Sequence, residues 1–154
     1  IILVIYTNNL LLLPGMFILL PGYLEMRGNI SGSLASRLSS GLFLGVVNPN
    51  KMRTKIVKGN LVAAFLLATV VSLILGVVAF LFNNFFFNTY TPQIIFLPFV
   101  AVIIASLIDI PLTLVITFYL FKKGHDPNNI MGPFITSTGD IIGIASLLIV
   151  LVIL

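Results

Sequence analysis

The chain has 154 residues, of which 8% are charged and 59% are hydrophobic. A soluble domain carries about 25% charged residues and at most about half apolar ones, so the composition indicates an integral membrane protein, with residues 1–154 forming one domain. The net charge of +4 does not indicate nucleic-acid binding, because six of the eight basic residues lie in two short segments between apolar runs. The absence of cysteine excludes disulfides and thiolate metal sites.

The apolar stretches predict an all-α protein, since a membrane-spanning helix needs about 20 mostly apolar residues. Pro14-Gly15 and Pro21-Gly22 interrupt the first long stretch, and irregular backbone in a membrane is tolerated only against protein or a wet cavity. We predict five membrane spans, of which the first is largely missing from this sequence and four can be identified in it. The elements in chain order are the tail of an earlier span at 1–6, one kinked or broken element at 10–45, and spans at 61–82, 94–121 and 132–154.

The charges between the spans predict their orientation. Residues 48–60 and 122–131 contain lysine and arginine, whereas residues 7–9 and 83–93 contain no charge. Because basic loops remain on the cytoplasmic side, we expect the loops at 48–60 and 122–131 to be cytoplasmic. The uncharged loops at 7–9 and 83–93 are then expected to face outside. The chain is then a multi-pass protein of the cell membrane with its C-terminus outside.

Asp140 is the first candidate site residue, because an ionisable side chain inside a span is costly and is usually functional. Thr136 lies one turn earlier on the same helix face, and Gly139 narrows the helix beside the carboxylate. Such an oxygen-rich lining suits a hard cation such as Mg²⁺. The alternative is a buried aspartate that pairs with Arg27 or Arg37.

A second candidate cluster lies in the predicted broken element. Gly28-Asn29 stands where the apolar run breaks, and a break there would free backbone carbonyls of the kind that line ion filters. Glu25 belongs to the same cluster. Small residues recur every four positions and predict close helix packing; they are Gly28, Gly32, Ser36 and Ser40.

Asp109 lies deep inside the predicted span 94–121 and is followed by Pro111. It is either a second ion or proton site or a polar clamp, and the sequence does not decide between the two. The candidate partners of the clamp are Ser72, Thr69 and Thr113.

Two segments resemble the MgtE-type magnesium transporters, and more closely their eukaryotic solute-carrier relatives. Residues 21–45, PGYLEMRGNISGSLASRLSSGLFLG, resemble the family's second membrane segment, with its Gly-Asn pair followed by Leu-Ala-Ser-Arg-Leu-Ser. Residues 124–143, GHDPNNIMGPFITSTGDIIG, are similar to the entry into its fifth span, with a small-residue run that ends in aspartate.

The resemblance implies a five-span domain in which a pore forms between two such units. Asp140 is then the pore aspartate that recognises a hydrated Mg²⁺, and the Thr136 carbonyl is a second contact. Gly28 and Asn29 become the opposing wall. Because the eukaryotic relatives hold two copies and this chain shows one, a homodimer in a lipid bilayer is implied. Glu25 and Asp109 depart from the family pattern, and Glu25 would either add a charge at the pore mouth or form a local pair with Arg27.

Two other classes of function remain as alternatives to a magnesium or broader divalent-cation transporter. An intramembrane aspartyl protease would use Asp109 and Asp140 as two acids that share a proton, but Ser137-Thr-Gly-Asp140 lacks the first glycine of its motif. A non-transporting membrane subunit would use the small residues for docking. We expect a transporter, with Mg²⁺ as its cargo and with no enzymatic activity or catalytic cofactor.

Overall fold

The computed structural model describes residues 15–153, which form four α-helices in chain order: α1 (Met16–Phe43), α2 (Lys55–Phe87), α3 (Gln93–Lys122) and α4 (Pro127–Ile153). Every regular element in this part of the chain is helical, as the apolar pattern predicts. The predictions for residues 1–6, 7–9 and 10–14, and the end of the last span at Leu154, lie outside the described residues.

Three of the helices, α2, α3 and α4, are long and apolar enough to cross a membrane. Helix α3 agrees with the predicted span 94–121 to within one residue at each end, because its apolar run is bounded by polar residues. Helix α1 has 28 residues and would extend about 40 Å, but it carries the three charged residues Glu25, Arg27 and Arg37.

Helix α1 is continuous from Met16 to Phe43, so of the kink or break predicted for the element at 10–45, the break is not found within these residues. Pro21 lies inside the helix near its start, where it removes one backbone hydrogen bond without ending the helix. Gly28 and Asn29 keep helical backbone, so their carbonyls lie within the hydrogen-bonded ladder. The freed carbonyls that the sequence suggested are therefore not present.

Helix α4 begins at Pro127, five residues before the predicted start at Gly132. The Oδ1 atom of Asp126 accepts a hydrogen bond of 2.9 Å from the backbone N–H of Asn128, which caps the helix, and proline is well suited to the first helical position. Pro133 lies inside the helix. The helix therefore begins at Pro127, before the predicted span 132–154.

Helix α2 is also longer than the predicted span 61–82. Thr54 caps it, with Oγ1 accepting a hydrogen bond of 3.3 Å from the N–H of Val57, and Asn88 ends it in the left-handed conformation at φ 50°. Lys55 and Lys58 therefore belong to the start of the helix rather than to a loop. Both are exposed there.

Helices α1 and α3 form the centre of the bundle. Each packs against the other and against both α2 and α4, whereas α2 and α4 share no substantial contact within residues 15–153. A side chain at Gly76 of α2 would collide with the backbone of Ile95 on α3. This glycine therefore permits the two helices to approach closely.

Three apolar clusters fill the interior of the described part of the chain, and the two larger ones lie toward opposite ends of α1. The first cluster includes Leu19 and Tyr23 of α1 together with Leu97 of α3. The second includes Leu38 of α1 and Phe118 of α3. Polar residues of α1 and α3 occupy the layer between the clusters, and these residues are the buried Arg27, Ser31, Ser106 and Asp109.

Candidate cation site

An open groove of about 480 Å³ lies between α1 and α4. Both of its walls carry residues that the sequence identified as candidate ligands, although the two helices are far apart in the chain. The five candidates that it brings together are Glu25, Gly28, Asn29, Thr136 and Asp140.

The α4 wall supplies a carboxylate and a hydroxyl. Asp140 is half-buried and Thr136 is exposed. The Oγ1 atom of Thr136 donates a hydrogen bond of 3.1 Å to the carbonyl of Gly132, so its lone pairs remain able to accept from a water molecule. The Thr136 carbonyl belongs to a continuous helix, where it accepts within the backbone ladder.

The α1 wall supplies a second carboxylate and an amide. Asn29 donates from Nδ2 to Oε1 of Glu25 at 3.0 Å, which leaves Asn29 Oδ1 as the amide atom able to accept. Glu25 therefore contacts Asn29 rather than Arg27. Residues four apart in a helix share a face, whereas residues two apart do not, so of the two alternatives for Glu25 the local pair with Arg27 does not form in the structure.

Glycines keep the groove wide. A Cβ atom built at any of the four groove glycines would meet no atom within 4 Å; these glycines are Gly28, Gly32, Gly132 and Gly139. Nothing in the described part of the chain fills that space.

Asp109 lies outside the groove and forms an ion pair with Arg27, through Oδ2 and Nη2. Arg27 is 4% exposed and Asp109 is 7% exposed. Two of the three candidate hydroxyl partners donate elsewhere, since Thr69 Oγ1 and Ser72 Oγ each donate to a carbonyl of their own helix at 2.8 Å. The partner that Asp109 has in the structure is therefore an arginine rather than one of these two hydroxyls.

Arg27 connects this ion pair to the groove. Its Nη1 donates a hydrogen bond of 2.8 Å to the carbonyl of Gly139, the residue before Asp140, and its guanidinium lies 5.6 Å from the centre of the Tyr23 ring. A Cβ at Gly143 would collide with the guanidinium. Arg27 therefore joins α1, α3 and α4 beneath the groove.

This role of Arg27 was not predicted from the sequence. One signal was available, because Leu19, Tyr23, Arg27 and Ser31 recur every four residues and all are buried. That spacing places Arg27 on the packed side of α1, opposite the exposed Glu25 and Asn29.

The groove chemistry fits a cation that keeps its water. Within residues 15–153 no three histidine, aspartate or glutamate side chains come close enough to hold a metal ion together. The groove offers instead two carboxylates with an amide and a hydroxyl, all oxygen acceptors. Such groups suit a hard cation, and Mg²⁺ usually retains several waters.

The three long apolar helices indicate a multi-pass membrane protein. The MgtE family model, described as a divalent cation transporter, matches residues 20–150, and the chain belongs to this family.

Curated relatives include solute carriers of family 41. Member 3 from Mus musculus is 29% identical over 133 residues, which cover 84% of this chain and 27% of that protein. Member 2 from Homo sapiens is 28% identical over 135 residues, covering 85% and 24%, and member 2 from Xenopus laevis is 30% identical over 139 residues, covering 88% and 25%. The chain thus spans about a quarter of the length of these relatives. No solved structure matches it.

Proposed function

We propose that this protein transports Mg²⁺ across the cell membrane through a pore between two copies of the chain, with Asp140 as the residue that attracts the ion. The observation that carries the proposal is the groove in which α1 and α4 bring Glu25 and Asp140 to one cavity. Membership of a divalent cation transporter family supports the same function.

The roles of the groove residues follow from their chemistry. Asp140 and Glu25 supply negative charge, while Asn29 Oδ1 and Thr136 Oγ1 accept hydrogen bonds from the water shell. Gly28 leaves room for that shell, since a Cβ there would meet no atom within 4 Å. Two grooves that face each other would double the number of carboxylates around the ion.

The orientation is part of the proposal. The segments around Lys51 to Lys58 and around Lys122 and Lys123 would lie in the cytoplasm by the positive-inside rule, with the C-terminus outside. Mg²⁺ is cargo in this scheme, and other divalent cations of similar size compete for the same oxygen atoms.

The protease alternative lacks support, and we propose a non-enzymatic role. Two catalytic aspartates must share a proton, but the Asp109 carboxylate is engaged by Arg27. Asp140 lies in the groove on a different helix.

The test is Mg²⁺ uptake into liposomes that contain the full chain. Asp140→Ala should abolish uptake because the carboxylate is the main attraction for the ion, while the mass of the particle in detergent remains that of a dimer. The matched control is Asp126→Asn, which removes the same charge outside the groove and keeps Oδ1 as the acceptor of the helix cap. Uptake by Asp140→Ala at the wild-type rate would refute the assignment, and a monomeric wild-type particle would refute the dimeric pore.

A further inference from the structure

The ion pair between Arg27 and Asp109 is the strongest feature that the proposed function leaves unused. It lies between the two larger apolar clusters, and both of its members are almost completely buried. Taking two charges out of water is costly, and a purely structural contact could be made more cheaply by apolar side chains.

We propose that Asp109 is a positioning residue for the cation site: it holds and neutralises the Arg27 guanidinium beneath the groove, so that Asp140 remains available to the ion. This inference rests on the proposed function. It assigns the effect of Asp109 to electrostatics that act through Arg27 on Asp140, and it places Asp109 outside the ion path.

The first support is the position of the guanidinium. Nη1 of Arg27 is hydrogen-bonded to the carbonyl of Gly139, one residue from Asp140, while Nη2 pairs with Asp109. A guanidinium prefers to bind a carboxylate through two nitrogen atoms. If Asp109 were neutral, the nearby Asp140 would become the alternative partner, and the arginine would compete directly with the cation.

The second support is the space around the pair. Two cavities of about 10 Å³ each flank it, lined in part by Ser31, Ser106 and Thr138. Each has room for about one water molecule, whereas the groove measures about 480 Å³. A hydrated cation fits the groove and does not fit beside Asp109.

The test compares the concentration dependence of Mg²⁺ uptake in liposomes for wild type, Asp109→Asn, Arg27→Gln and the double variant. Asp109→Asn leaves a positive charge beneath the groove and should raise KM for Mg²⁺ about tenfold or more, with a smaller change in kcat. Arg27→Gln leaves a negative charge there and should lower KM or leave it unchanged. The double variant contains no charge at either position and should return KM to within about threefold of wild type.

Different changes of KM in the two single variants distinguish a positioning role of Asp109 from a purely structural one. A structural role predicts that both single variants lose Mg²⁺ uptake to the same extent. An equal rise of KM in the two single variants would overturn the inference. So would a double variant that retains the raised KM, since Asp109 would then contact the ion itself. If Asp109→Asn fails to fold, the double variant decides alone, and a tenfold rise of its KM rejects the proposal.

The outcomes also separate this inference from the proposed function. Normal uptake by Asp140→Ala rejects the cation site whatever Asp109→Asn does. Loss of uptake in Asp140→Ala together with an unchanged KM in Asp109→Asn rejects only the role of the ion pair.

Discussion

Asp109 and Asp140 are the same residue type in two apolar helices, yet their surroundings are opposite. Asp109 is buried against Arg27 in the polar layer between two apolar clusters. Asp140 is half-buried in a groove of about 480 Å³. A charge that is paired in the interior contributes to the arrangement of helices, whereas a charge that faces a wet cavity remains free to bind a ligand.

The glycines of the two regions differ in the same way. At Gly143, close to the ion pair, a Cβ would collide with the Arg27 guanidinium and lie 2.7 Å from Leu24 Cδ2. At Gly139, in the groove, a Cβ would meet nothing within 4 Å. The interior glycine is required by packing, and the groove glycine is not required by any contact within residues 15–153.

The largest difference in stability between the two regions is expected at the ion pair of Arg27 and Asp109. Arg27→Ala leaves Asp109 buried without its counter-charge and should lower the free energy of unfolding by about 3–5 kcal/mol. Asp140→Ala should change it by less than about 0.5 kcal/mol, because this carboxylate is half-exposed. Unfolding of both variants in detergent measures the difference, and similar losses would show that the two regions are not distinct.

A smaller effect is expected from the glycines. Gly143→Ala forces Arg27 or Leu24 to shift and should cost about 1–3 kcal/mol. Gly139→Ala serves as its matched control on the same helix and should be neutral or stabilising by up to about 1 kcal/mol, since alanine favours a helix more than glycine does. A larger loss for Gly139→Ala than for Gly143→Ala would contradict this packing.

The smallest effect concerns the hydroxyl of Tyr23, which lies 3.1 Å from Ser146 Oγ in the buried region. Ser146 Oγ itself donates to the Gly143 carbonyl, so the tyrosine supplies the proton between them. Tyr23→Phe should cost about 1 kcal/mol. Tyr90→Phe, at a side chain that is 76% exposed, is the control and should leave the unfolding midpoint unchanged.

The helices were predictable from sequence where hydrophobicity alone decides them. Helix α3 matches its predicted span closely, because its long apolar run ends in lysine. The interruption expected at Pro21 is not found, since Pro21, like Pro133, lies inside a helix. A membrane helix tolerates proline and glycine when neighbouring groups satisfy the backbone, and those neighbours cannot be identified from local sequence.

The candidate site was predictable in part. Asp140 stood out as a carboxylate in an apolar span, and its grouping with Gly28 and Asn29 came from the family resemblance rather than from spacing. The partner of Asp109 could not be found in this way, because Arg27 lies on another helix and pairs with it only through tertiary packing. Long-range electrostatic pairs depend on the folded arrangement of the helices.

Helix α1 is unbroken from Met16 to Phe43, and it carries Glu25 and Asn29 on its exposed side and Arg27 on its buried side. A rotation of α1 as one unit would therefore move all three residues together. If such a rotation widened the groove, it would also shift Arg27 relative to Asp109 and the Gly139 carbonyl, so the shape of the groove and the geometry of the ion pair are coupled through α1.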